Sequence, residues 1–131
     1  MVYFGAVDET GHKHGFHPDV PQYVAAIEQV DEHVGEVLTA MRSRPNFERE
    51  DWLVVVSTDH GGKGTGHGDG HKVPEILTTF IIVSGQSATK GRISQPTYVV
   101  DVPVTGLVHL GVKLDPEWKL DGKPVGLQSA K

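Results

Sequence analysis

Apolar runs that stop abruptly constrain the fold of this chain more than any other feature. The strongest run, WLVVVST at residues 52–58, ends at Asp59. Its β-branched residues are typical of a strand that is buried on both faces, as in a parallel sheet. Similar runs are VYFGAV at residues 2–7, which ends at Asp8, and TTFIIVS at residues 78–84. We therefore predict a strand at each of these runs.

Two further segments have the pattern of helices. Apolar residues recur at helical spacing after Asp19, which is predicted to act as the N-cap of a helix that runs to about Arg42. Asp101 is predicted to N-cap a shorter helix over residues 102–110, because Gly111 follows as a helix stop. The alternation of strands and helices predicts an α/β fold with a small parallel or mixed sheet and flanking helices.

Composition bounds the class of protein. The chain has 131 residues, which fits a single domain, 1–131. Its net charge is −5 and no stripe of Lys and Arg stands out, so we do not expect a nucleic-acid partner. Cysteine is absent, which excludes disulfides and thiolate metal sites within the chain. The longest apolar run is far shorter than the roughly 18 residues of a membrane span. We expect neither a membrane anchor nor a signal peptide, and the compartment stays unknown.

Carboxylates and imidazoles follow two of the predicted strands. Asp8 follows the first strand, and Asp59 and His60 follow the second. Because the carboxyl ends of parallel strands lie at one edge of a sheet, we expect these side chains to converge. His12 and His67 come soon afterwards in glycine-rich stretches, so these five residues are the predicted metal ligands. Mixed carboxylate and imidazole ligands suit zinc, manganese or iron, and the choice of metal stays open.

Histidine is in surplus, with eight in the chain. Six of them cluster in two glycine-rich stretches: His12, His14, His17, His60, His67 and His71. Taken singly, each aspartate could be a turn residue or a helix cap, and each histidine a surface residue. The joint pattern favours the metal site. His71 lies in the same glycine loop as His67 and is its rival as a ligand, whereas His33 and His109 lie on predicted helices.

The motifs as a set resemble those of a known family. The pattern DxxGHxxG at residues 8–15 and TDHG at residues 58–61, followed by GHG at residues 66–68, resemble the alkaline phosphatase superfamily. The most similar branch is the type I phosphodiesterase/nucleotide pyrophosphatase group, which is related to sulfatases and cofactor-independent phosphoglycerate mutases. VDVPVT at residues 100–105 resembles a helix near that superfamily's C-terminus, and residues 118–127 resemble the tails of its bacterial members.

The resemblance implies two divalent metals, usually zinc. Asp8, His12 and His67 would hold one metal. Asp59 and His60 would hold the other, together with an Asp and a Thr or Ser nucleophile from the N-terminal half of the family's sheet. The motifs of that half are not found in this sequence. The chain therefore resembles the C-terminal portion of an alkaline phosphatase-like catalytic domain, part of a three-layer sandwich, with most of the metal ligands and no nucleophile.

The resemblance also orders the functional hypotheses. It implies a metal-dependent hydrolase of phosphate esters, of phosphodiesterase or nucleotide pyrophosphatase type, that acts on a small phosphate ester or nucleotide. The alternative is a non-catalytic metal-binding remnant of the fold, and a phosphomutase-type transferase ranks third. The isolated chain is expected to be inactive. Because half of such a sheet leaves an apolar edge uncovered, it is also expected to self-associate or to pair with the missing N-terminal half.

Overall fold

The computed structural model describes residues 1–68 and 70–128, with the side chain of His71 also outside the description. The described chain forms two compact units, one from Met1–Phe47 and His60–Thr78, the other from Glu48–Asp59 and the described part of Thr79–Lys131. The regular elements are α1 (Ala6–His14), α2 (Pro21–Arg42), β1 (Leu53–Ser57), α3 (Pro74–Leu77), β2 (Ile81–Gly85) and α4 (Asp101–His109). Short 3-10 turns cover Phe47–Arg49, Gly70–Lys72 and Pro116–Trp118. The predicted α/β class with flanking helices is confirmed.

The first unit begins with helix α1, where we predicted a strand at residues 2–7, and that prediction is wrong. The apolar run is interrupted by Gly5, and the helix begins at Ala6. Acidic Asp8 and Glu9 lie in its first turn, and the last turn is basic, which favours the helix dipole. The helix therefore includes Asp8 and His12, although His12 lies in a glycine-rich stretch.

Helix α2 packs against α1 and confirms the amphipathic helix predicted up to Arg42. Its predicted N-cap is wrong. Val20 occupies the cap position without a side-chain hydrogen bond, and Pro21 begins the helix. The backbone N–H of Asp19 instead donates to His17 Nδ1 at 3.2 Å. Ala26 is buried within α2, and Ile76 is buried in α3 of the same unit.

The second unit contains an antiparallel pair of strands, β1 and β2, in register from Leu53 opposite Gly85 to Ser57 opposite Ile81. We predicted a parallel or mixed sheet, so the expected strand direction is wrong. Within the described residues β1 pairs with β2 alone and is half-buried along its length. β1 lies within the predicted run at residues 52–58, and β2 begins within the run at residues 78–84 and ends one residue after it, at Gly85.

Helix α4 packs against β1 and carries the core of the second unit. Val104 and Val125 are buried, and so are the polar side chains of Asp101 and Thr105. Asp101 is the first residue of the helix rather than its N-cap. Its carboxylate accepts hydrogen bonds from the backbone N–H groups of Tyr98 at 2.8 Å and Lys123 at 2.9 Å. Among the described helices, none is both long enough and apolar enough to cross a membrane.

Candidate metal centre

Helix α1 supplies a carboxylate and an imidazole to one cluster of side chains. Asp8 and His12 lie four positions apart, so their side chains share a face of the helix. Asp8 Oδ1 is 3.6 Å from His12 Nε2. Helical spacing, rather than the end of a strand, therefore brings these two groups together.

The glycine-rich loop that follows β1 supplies the other imidazoles, His60 and His67. Lys63 and Gly66 close a tight turn through reciprocal backbone hydrogen bonds at 2.9 and 3.2 Å. The Lys63 ammonium donates to Glu75 at 2.9 Å, which ties the loop to α3 and lowers the pKa of that carboxyl. Both side chains are exposed, so the ion pair contributes little stability.

The donor atoms of these side chains converge. His67 Nε2 is 3.0 Å from His12 Nε2 and 3.5 Å from Asp8 Oδ1. The ring of His60 lies 4.0 Å from that of His67, centroid to centroid. One ligand atom from each of Asp8, His60 and His67 falls within 4.8 Å of the others. The cluster is thus one carboxylate surrounded by the imidazoles of His12, His60 and His67.

Backbone carbonyls fix the tautomers of two of these rings. His12 Nδ1–H donates to the carbonyl of Thr65 at 2.9 Å, and His60 Nδ1–H donates to the carbonyl of Gly61 at 2.9 Å. A carbonyl oxygen can only accept, so the proton of each neutral ring lies on Nδ1. Nε2 of each ring then carries a lone pair, which is the arrangement of a histidine prepared to bind a metal.

Asp8 provides the test of whether this donor set fits a cation. Its Oδ1 atom is buried and finds no hydrogen-bond donor among the described residues. An unpaired buried carboxylate oxygen is costly. A single proton can form a hydrogen bond between Nε2 of His12 and Nε2 of His67. That hydrogen bond still leaves Asp8 Oδ1 without a donor. A divalent cation would satisfy all of these atoms, so the residues fit the metal that the motifs imply.

Phe16 lies directly against the cluster and was not identified from the sequence. Its ring meets the ring of His12 edge-on, with centroids 5.3 Å apart and an interplanar angle of 84°. Gly11 and Gly62 make room for it, because a Cβ at either position would overlap the Phe16 ring. The signal in the sequence was indirect: Gly11 is next to the predicted ligand His12, and Gly62 is two residues after His60.

Tyr23 borders the same cluster from helix α2. Its ring packs against Phe16 with centroids 5.6 Å apart. Burial raises the pKa of the Tyr23 phenol, and the negative charge of Asp8 adds to that effect. The charge of Asp8 therefore affects a residue of α2.

The structure does not assign the other histidines and Asp59 to this cluster. Asp59 precedes His60 in the chain but belongs to the second unit, so its role as a ligand stays a prediction. The side chain of His71, the rival of His67, lies outside the described residues. His17 pairs with Asp19 at 3.5 Å, and His109 Nε2–H donates to the carbonyl of Asp51 at 2.9 Å.

Comparison with known proteins identifies the family. Residues 1–100 match the family described as type I phosphodiesterase / nucleotide pyrophosphatase. The chain belongs to this family, within the alkaline phosphatase superfamily. The resemblance inferred from the motifs is confirmed. The phosphodiesterase family match includes all of Asp8, His12, Asp59, His60 and His67.

Two phosphopentomutases are among the curated relatives of this phosphodiesterase-family chain. A phosphopentomutase of Methylobacterium sp. (strain 4-46) is 29% identical over 117 residues, which cover 87% of this chain and 25% of the relative. A second, from Methylobacterium radiotolerans, is 27% identical and covers 79% of this chain and 23% of the relative.

A GPI ethanolamine phosphate transferase 1 of Aspergillus fumigatus is 33% identical over 88% of this chain and 10% of the relative. The chain thus spans about a quarter or less of the curated relatives that it matches. No solved structure gives a significant match.

Proposed function

We propose that this chain contributes a divalent-metal centre to a protein that acts on phosphate esters. The observation that carries the proposal is Asp8 Oδ1, a buried carboxylate oxygen without a donor among the described residues that faces the Nε2 atoms of His12 and His67. Family membership supports a phosphate ester as the substrate class.

In this proposal Asp8, His12, His60 and His67 hold the metal, and the role of Asp59 as a ligand stays a prediction from the sequence. The bound metal supplies positive charge that stabilises a phosphate ester and lowers the pKa of a coordinated hydroxyl or water. The Thr65 and Gly61 carbonyls hold the Nδ1 protons of His12 and His60, so that Nε2 is the nitrogen of each neutral ring that carries the lone pair. The Asp8 carboxylate, in the first turn of α1, would balance part of the cation's charge.

The acceptor of the phosphoryl group distinguishes two candidate reactions. Water as the acceptor gives a phosphodiesterase or nucleotide pyrophosphatase, which the family description favours. A sugar hydroxyl as the acceptor gives a phosphomutase, which the similarity to two phosphopentomutases favours. We propose that residues outside this chain supply the nucleophile in either case. The isolated chain is then a metal-binding part without turnover of its own.

Binding of inorganic phosphate tests the proposal on the chain as it exists. Calorimetry should detect phosphate binding to the zinc-loaded chain and none to the metal-free chain. Asp8→Ala should abolish the response, whereas Asp19→Ala, which alters an exposed aspartate beside another histidine, should leave it intact. Equal phosphate binding with and without zinc would refute a metal centre for phosphate esters.

Turnover then separates the two reactions, measured on the chain joined to a family segment that supplies the nucleophile. A hydrolase should cleave an aryl phosphodiester and lose that activity in Asp59→Ala and His67→Ala. A phosphomutase should leave the diester intact and interconvert phosphopentose isomers. Turnover of either substrate at full rate in both variants would contradict the ligand assignments.

A further inference from the structure

The ring of Phe16 occupies a space next to Gly11 and Gly62, which we call the Phe16 seat. Helix α1 ends at His14, and Gly15 turns the backbone with a φ of 115°. The Phe16 N–H then donates to the carbonyl of Gly64 at 2.7 Å. Its ring lies against Gly11 in α1 and Gly62 in the loop after β1, and any side chain at either position would displace it.

The seat places one ring against both imidazoles whose Nε2 atoms face each other. The centroid of Phe16 lies 5.3 Å from that of His12 and 6.2 Å from that of His67, with interplanar angles of 84° and 82°. Tyr23 packs against the same ring at 66°. Edge-to-face packing of this kind is directional, so it restricts the rotation of each imidazole about its side-chain bond.

We propose that Phe16 is a positioning residue of the metal centre, which sets the orientation of the His12 and His67 rings for a divalent cation. This inference rests on the proposed function. Preorganised ligands bind more tightly because fewer rotamers are lost on binding. The Thr65 carbonyl fixes one nitrogen of His12, and Phe16 fixes the plane of that ring. Gly11 and Gly62 are small because Phe16 needs the space.

The chain offers a matched control in Phe4, which belongs to the same unit. Its ring stacks on His33 with centroids 6.0 Å apart and an interplanar angle of 15°, so it is a second phenylalanine–histidine pair outside the cluster. Phe16→Leu and Phe4→Leu make the same chemical change at the two pairs. Cobalt titration followed by visible absorption reports both affinity and ligand geometry, and melting of the metal-free proteins reports the fold.

Phe16→Leu should bind cobalt about tenfold more weakly and give an altered ligand-field spectrum, as expected for loss of a group that orients the ligands. Phe4→Leu should match the wild type in both. If the wild type binds no cobalt, the proposed function fails and this inference fails with it. If the wild type binds and Phe16→Leu has the same affinity and spectrum, the inference alone is overturned.

A measurement on the wild type decides the matter if Phe16→Leu does not fold. Nuclear Overhauser contacts should join the ring protons of Phe16 to those of both His12 and His67, before and after zinc is added. Loss of either contact on zinc binding would overturn the inference, because a ring that leaves the imidazoles cannot orient them.

Discussion

At the scale of single residues, Asp8 is the group whose environment is hardest to explain without a cation. One of its oxygens is buried without a donor among the described residues, and its neighbours are imidazole nitrogens. The sequence predicted Asp8, His12, His60 and His67 as metal ligands from their residue types and from the glycines around them. It could not identify Phe16, because a phenyl ring does not bind metals. It could not identify the Thr65 carbonyl either, because every residue has a backbone carbonyl.

Replacement of Asp8 separates metal binding from folding. Asp8→Asn removes a negative charge and supplies an amide donor, so zinc affinity should fall at least about tenfold. Stability of the metal-free protein should be unchanged or higher, because the buried oxygen without a donor is no longer charged. Zinc calorimetry and metal-free denaturation measure the two effects. Asp19→Asn is the control, and a loss of metal-free stability at Asp8 alone would contradict this account.

Tyr23 gives the protein a pH dependence at the alkaline end. Burial and then the charge of Asp8 raise its pKa above the ordinary 10.0. The unfolded chain loses this proton first, so the neutral phenol stabilises the fold fully below about pH 10, and that stability is lost as the pH rises through the raised value. Denaturant unfolding at rising pH should show a decline that is smaller in Tyr23→Phe than in Tyr98→Phe. Equal declines in both variants would rule out this role.

At the scale of elements, the clustered side chains lie on different elements from those predicted. We expected the ends of two parallel strands to bring the carboxylates and imidazoles together. Instead, the four-residue spacing on α1 aligns Asp8 with His12, and a glycine loop carries His60 and His67 to that face. A short apolar run such as residues 2–7 does not distinguish strand from helix. The side chains of Asp8, His12, His60 and His67 therefore lie close together as expected, but the elements that carry them differ from the predicted ones.

Gly62 tests whether the loop must pass close to α1. Gly62→Ala would place a methyl group where the Phe16 ring lies, so the loop or the ring must move. Overpacking of this kind costs about 1–3 kcal/mol of unfolding free energy. Gly68→Ala is the matched control in the same loop, because no described atom lies near its Cβ position. Denaturant unfolding of both variants gives the comparison, and equal stability would show that the seat is not tight.

Asp101 anchors the irregular C-terminal segment to α4. Asp101→Asn replaces a buried carboxylate that accepts from two backbone N–H groups with an amide that can accept from only one. The unfolding free energy should fall by about 2 kcal/mol or more. Asp115→Asn, at an exposed cap that accepts from Glu117 N–H at 2.9 Å, should cost about 1 kcal/mol or less. Similar losses in the two variants would show that burial of Asp101 adds nothing.

At the scale of the whole molecule, the sequence predicted the α/β class and the family but not the strand direction. The run at residues 52–58 looked fully buried because it is almost entirely apolar, whereas β1 is half-buried and antiparallel to β2. The apolar residues of a strand show how much surface it could bury. The elements that pack against the strand determine how much of that surface is buried. The chain covers about a quarter of the phosphopentomutases that it matches. We propose that further chain covers the edge of β1 that pairs with no strand among the described residues.

If a second copy of the chain pairs with this edge of β1, the chain should form oligomers. The isolated chain should self-associate in light scattering as its concentration rises, because the free edge of a strand can pair with a second copy. A Lys substitution at Val55, in the middle of β1, should weaken the association, whereas one at exposed Glu48 should not. A monodisperse monomer at all concentrations would contradict an uncovered apolar edge.

The most direct test of the central claim is the metal content of the chain, measured by elemental analysis after purification without a metal-affinity step. The account predicts about one divalent ion per chain, as expected for a single cluster of one carboxylate and three imidazoles, and loss of that ion in the Asp8→Ala/His67→Ala double variant. A wild-type chain without metal, or a double variant that retains it, would contradict the metal centre.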